Sequence, residues 1–238
     1  MDIVYILGTG SQNNNLEIRY SLRSVQKHLS NVDQVFVVGE DPGFLKDIIH
    51  VECEDQGTFK EVNIFMKVLR AAVVKDVSED FLFFNDDHFL NCDFDANNFP
   101  VFRKGILQDF IDKRPYAVGG YMTPLRNCQY ILKHNGYGEI DFDHHSPITY
   151  NKEKIKALHS RYDWTVPAGY IVKSLYGNTY QLDSVYEPDC KMSQPMSYEE
   201  MVAIINSRKI FSVGDAAITD QFKRVMEELY PQKSRWEI

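Results

Sequence analysis

No Cys-x-x-Cys pair occurs in this sequence: its four cysteines, Cys53, Cys92, Cys128 and Cys190, are scattered along 238 residues. That argues against zinc held through cysteine, and a chain of this length needs no disulfide framework, so the four read as reduced thiols. No apolar run approaches the roughly 20 residues that cross a bilayer, and the N-terminus shows no basic segment followed by an apolar stretch and a cleavage site. The expectation is a cytoplasmic protein. A basic excess is lacking too. With 26 lysines and arginines against 34 acids, the formal charge is -8, the wrong sign for whole-surface attraction to nucleic acid. The glycines of Gly8-Thr9-Gly10-Ser11 are followed by Asn13 where a dinucleotide fingerprint needs a third glycine, and the loop is not a Walker loop, which disfavours a nicotinamide-binding domain. Internal repeats and low-complexity linkers are absent.

What the chain does have is 44% apolar residues, enough for a substantial core. The first 90 residues alternate between strand and helix patterns. Ile3 to Leu7 is a short apolar run opening into a polar loop. Leu16 to about His28 has helical spacing, Gln34 to Gly39 reads as the second strand and Ile48 to Cys53 as the third. Thr58 is placed to cap a helix from Phe59 to about Val74, with Glu61 at the capping-box position. Phe81-Leu82-Phe83-Phe84 is apolar on both faces, as a central strand of a covered sheet is. Beyond Pro100 the expected elements are a strand from Tyr116 to Tyr121 and helices at Asn151–His159, Tyr198–Asn206 and Asp220–Leu229. Alternating strands and helices imply an α/β fold with a mainly parallel central sheet flanked by helices. Its ligand site should lie beyond the carboxyl ends of the strands.

Asn85-Asp86-Asp87 follows the central strand directly. Adjacent carboxylates there need a cation, donors or water. In an extended chain Asn85 and Asp87 point to one side and Asp86 to the other. Asp87 would then meet a metal, while Asp86 or Asn85 meets a ribose or a phosphate-bound water. Oxygen ligands suit a hard cation, Mg²⁺ or Mn²⁺; the plain alternative is a solvated turn. Gly8, Thr9 and Gly10 would bring backbone N–H groups near phosphate, or form an ordinary turn. Lys60 and Asn63 share a helix face and fit phosphate and base or ribose, or simply water. Arg19 and Arg23, at i and i+4, point towards a diphosphate or to solvent. In Asp141-Phe142-Asp143-His144-His145-Ser146-Pro147, paired histidines amid acids can ligate a metal or act as a general base, although a histidine is more often simply packed or at the surface. Asp215 is either a second carboxylate at the site or a helix N-cap. Trp164 and the tyrosines as far as Tyr186 read equally as sugar-stacking faces or as core.

These segments, in this order, resemble the Stealth family of sugar-phosphate transferases and related small bacterial and phage glycosyltransferases of the GT-A fold. The opening strand Asp2 to Tyr5 is similar, as are Glu17 to Val25 and the run Phe81 to Leu90. So are His145-Ser146-Pro147 before Lys152, and Phe211 to Glu237 with Tyr230-Pro231 and Ser234-Arg235-Trp236-Glu237. The resemblance implies a GT-A-like transferase domain over 1–238. Residues 1–100 form its nucleotide-sugar-binding half and 101–238 an acceptor-side C-terminal extension. It implies donor binding by Arg19, Arg23, Asp86 and Asp87, with His145 as catalytic base or metal ligand. The implied donor is a nucleotide diphosphate sugar, with UDP as the nucleotide, and the acceptor a hydroxyl on a polysaccharide or on a phage-type hydroxymethylated DNA base. Gly214-Asp215 stands where that family usually has asparagine-aspartate, which tilts the expectation from sugar-1-phosphate transfer towards glycosyl transfer.

Overall fold

The computed structural model describes residues 1–57 and 59–238; the expected cap at Thr58 lies outside the described residues. In chain order the elements that build the site are β1 (Asp2–Leu7), α1 (Leu16–His28), β2 (Val35–Gly39), β3 (Ile49–Val51), α2 (Lys60–Val73), β4 (Asp80–Asn85) and β5 (His88–Leu90). Then come α3 (Leu107–Asp112), α4 (Met122–His134), β6 (Ile148–Asn151), α5 (Lys152–Arg161), α6 (Val172–Thr179), β7 (Lys191–Met192), α7 (Tyr198–Asn206), β8 (Ile210–Val213) and α8 (Asp220–Leu229).

The main sheet has the order β6-β4-β1-β2-β3, parallel throughout except for β6, which runs antiparallel along β4. Side-chain alternation divides its residues between two cores. Val4, Ile6, Phe36, Val38, Phe81 and Phe83 face one way, packing with Phe65, Val68 and Ala71 of α2 and with α4, α5 and α6. Ile3, Tyr5, Leu7, Val35, Val37, Leu82 and Phe84 face the other, against Ile18, Leu22 and Val25 of α1. Two covered faces explain why these strands read as unbroken apolar runs. The fold class is as expected: mixed α/β with a mainly parallel central sheet flanked by helices.

A second, three-stranded sheet, β7-β8-β5, carries a third core in which Phe89, Phe211 and Val213 pack with Met201 and Ile205 of α7 and Phe222 and Met226 of α8. Its helices begin on real caps. Ser197 and Glu200 form a reciprocal capping box on α7, and Thr219 caps α8. The expected strand at Tyr116–Tyr121 is not formed. That segment is a series of turns with positive φ at Gly119 and Gly120, leading into α4, and its apolar Tyr116 and Val118 stand in solvent with no face to cover. No helix among the described residues is long and apolar enough to cross a membrane.

Candidate active site

The Asn85-Asp86-Asp87 triplet is the joint between the two sheets. β4 ends at Asn85, the backbone turns at Asp86 and Asp87, and β5 departs to pair antiparallel with β8, setting Ser212 opposite His88. β7 then adds parallel to β8 with Lys191 opposite Ser212. This register delivers two donors to one carboxylate oxygen: Asp87 Oδ2 accepts from Ser212 Oγ at 2.8 Å and from Lys191 Nζ at 2.9 Å. The turn corrects the extended reading of the triplet, since all three residues line one cavity.

That cavity, about 630 Å³, lies past the carboxyl ends of β1 and β4, where open α/β sheets hold ligands, and its size falls in the usual range for small-molecule sites. It gathers Gly8, Gly10, Lys60, Asn63, Asn85, Asp86, Asp87, His145 and Asp215. Thr9 faces an adjoining space of about 230 Å³ with His50 and Glu52. Sequence reasoning missed Glu17, Glu61, Tyr121, Lys173 and Lys191 as wall residues. Nothing in their local sequence marks them.

Burial pushes the Asp86 carboxyl up to about 7, and the charges of Asp87 and Glu17 push the same way. Asp87 goes below the usual range: burial opposes this, but Lys191, His88 and His145 outweigh it. Glu61 is raised to about 7, by burial first and then by Asp143. Glu17 is raised by burial, with Asp215 beside it adding repulsion. Burial lowers Lys173 to about 8. The cavity thus holds more carboxylates than its own cations balance, and Asp86, Glu61 and Glu17 share the deficit.

Several expected roles change. Arg19 and Arg23 do not line the cavity. Arg23 makes a two-pronged pair with Glu237, Nε to Oε1 and Nη2 to Oε2, each at 2.8 Å, and Arg19 Nη1 joins at 3.1 Å. The Glu237 side chain is fully buried, so both guanidiniums are drawn to it rather than to a diphosphate. Asn63 reaches the cavity, but its amide is committed to the loop before α2, accepting from Gln56 N and donating to Gly57 O. Trp164 lies flat on Phe65 in the core, ring centroids 3.4 Å apart, and is no sugar platform. No group of three or more His, Cys, Asp or Glu side chains among the described residues is arranged to hold a metal ion. Of the paired histidines, His144 is buried against Phe102, its pKa lowered to about 4 by burial. The His145 side chain is 25% exposed on the cavity wall.

No protein-family model and no curated protein matches the chain, so the likeness of its segments to the Stealth family does not extend to a family match. Solved structures do match. A galactosyltransferase, LgtC, in complex with donor and acceptor sugar analogs, aligns over 98% of this chain and 96% of its own with a TM-score of 0.51 at 12% identity. An active-site mutant of LgtC aligns over 96% and 95%, TM-score 0.48, at 10% identity. A glycosyltransferase involved in glycosylation of the major capsid of PBCV-1 aligns over 98% and 100%, TM-score 0.39, at 12% identity. The fold is GT-A-like, that of the first of these glycosyltransferases.

Proposed function

We propose that this chain is a glycosyltransferase that moves a sugar from a nucleotide diphosphate sugar, with UDP as the nucleotide, to a hydroxyl acceptor. The observation that carries the reading is the sheet joint. A turn bearing two carboxylates, one of them raised by burial and by the charges of its neighbours, opens into the cavity at the carboxyl ends of the parallel strands. Residues 1–100 supply the donor side and residues 101–238 the acceptor side. The net charge of -8 favours a polysaccharide hydroxyl over a modified DNA base.

A divalent cation fits this wall. Asp86 and Asp87 offer hard oxygen donors, and Mg²⁺ or Mn²⁺ commonly takes one or two carboxylates and completes its shell with substrate phosphates. The absence of a three-residue ligand group is therefore compatible with a cation that arrives with the diphosphate. When bound, it would neutralise charge gathering on the leaving group. The chain's own residues account for the rest. Lys60 and Lys191 place ammonium groups on the same wall for the diphosphate. His145 takes the proton of the acceptor hydroxyl as its oxygen attacks the anomeric carbon and the bond to the diphosphate breaks. Asp215 is the alternative base. The nucleotide released from a UDP-sugar tests the reading: UDP follows from glycosyl transfer, whereas UMP follows from attack at the sugar-side phosphorus. Donor binding with neither product would make the chain a binding module.

A further inference from the structure

His145 is held with unusual completeness for a residue on an irregular segment between short strands. Asp189, distant in sequence, accepts from its backbone N at 2.9 Å with Oδ1 and meets its ring Nδ1 at 2.8 Å with Oδ2. From the other side the buried Lys173 ammonium donates to His144 O at 2.8 Å and to Ser146 O at 2.6 Å, the two carbonyls flanking the residue. Lys104 stands 3.6 Å behind Asp189 and compensates its charge. Two mostly buried charged side chains thus spend two contacts on His145 itself and two on the carbonyls either side of it. A solvated turn needs none of them.

The contacts also choose between the ring nitrogens. An ionised carboxylate accepts only, and Asp189 lies below the usual carboxylate range: burial opposes this, but the His145 hydrogen bond and charge outweigh it. Nδ1 therefore carries the proton. Nε2 has no hydrogen-bond partner among the described residues and belongs to a ring on the cavity wall. We infer that Asp189 and Lys173 are positioning residues that fix the Nδ1–H form of His145 and present the Nε2 lone pair to the acceptor hydroxyl. The inference rests on the glycosyl-transfer reading for its chemistry but not for its geometry. In the step it serves, the hydroxyl proton passes to Nε2, the hydroxyl oxygen bonds the anomeric carbon, and the nucleoside diphosphate leaves with the electrons of the broken bond. Asp189 stabilises the imidazolium that forms and does not itself take the proton.

Asp189→Asn tests this, because an amide cannot accept from both His145 N and Nδ1–H. Turning its NH2 to the ring preserves the backbone contact and forces the Nε2–H form. Nitrogen-15 spectra of the full chain should show His145 as Nδ1–H in the wild type and shifted towards Nε2–H in the variant. Turnover should fall by about a hundredfold or more, the scale of lost general-base catalysis, while the affinity for UDP changes less than about threefold. Lys173→Met should lower turnover with UDP affinity similarly kept; if it does not fold, Asp189→Asn decides alone. An Nε2–H tautomer in the wild type, or undiminished turnover in Asp189→Asn, overturns the inference. If the wild type transfers no sugar, the functional reading fails, and the tautomer measurement still decides the positioning claim.

Discussion

Replacing Arg23 with Ala separates a structural arginine from a donor-binding one. In the folded chain Arg23 makes two 2.8 Å hydrogen bonds to Glu237 and a third, at 3.3 Å, to Tyr230 O. Glu237 keeps Arg19 and Ser234 N in the variant, but its fully buried side chain loses its closest cation. Breaking a buried pair by removing one partner costs about 3–5 kcal/mol; with Arg19 remaining, the lower end applies. For a chain of this size each kcal/mol moves Tm by about 2–4 °C, so a fall of about 6–12 °C is expected by thermal denaturation at pH 7. Burial pushes the Glu237 carboxyl up, but its hydrogen bonds to Arg23 and Ser234 N hold it below the usual range. The stabilisation is therefore present above ordinary carboxylate pKa values and is lost as pH falls through the depressed one, so the gap between wild type and variant should close in strong acid. UDP affinity, measured well below both Tm values, should be unchanged. A tenfold loss of affinity with Tm intact would refute this placement of Arg23 and return it to the diphosphate.

Asp86→Asn should stabilise the ligand-free protein near pH 7.5 by about 1–3 kcal/mol, because a carboxyl raised to about 7 stabilises the fold when protonated and loses that contribution as pH rises through 7. Thermal scans at pH 5 and 7.5 check this, and equal Tm differences at the two values would contradict it. His145→Ala should lower turnover by about a hundredfold or more with UDP affinity retained, whereas equal loss of both would assign the ring to donor binding.

The parts of the fold that were legible are those whose signal is local. α1, α7 and α8 occupy the expected residues because their apolar periodicity is local, with α7 and α8 also capped by Ser197 and Thr219, and the strands facing two cores announce themselves as apolar runs. Tyr116–Tyr121 misled because its apolar run Tyr116-Ala117-Val118 imitates a strand, while Gly119 and Gly120 break it. α4 carries Pro124 in its first turn, which a helix tolerates there but which conceals the helix in sequence. The site was half legible. Carboxylates ending a central strand can be read from neighbours in the chain, whereas the turn that unites them depends on β5 joining a sheet built more than 100 residues later. Arg19 and Arg23 could not be placed for the same reason, as Glu237 is 214 residues from Arg23. Asp189 and Lys173 reach His145 only through tertiary packing, and no spacing encodes that meeting.

The most direct measurement is the nucleotide product formed when the purified chain is incubated with a panel of UDP-sugars and hydroxyl acceptors in Mn²⁺. UDP is the expected product, with Asp87→Asn or excess chelator reducing its release by about a hundredfold or more, the cost of losing a principal electrostatic stabiliser. UMP as the product, or UDP release undiminished in Asp87→Asn, would contradict that expectation.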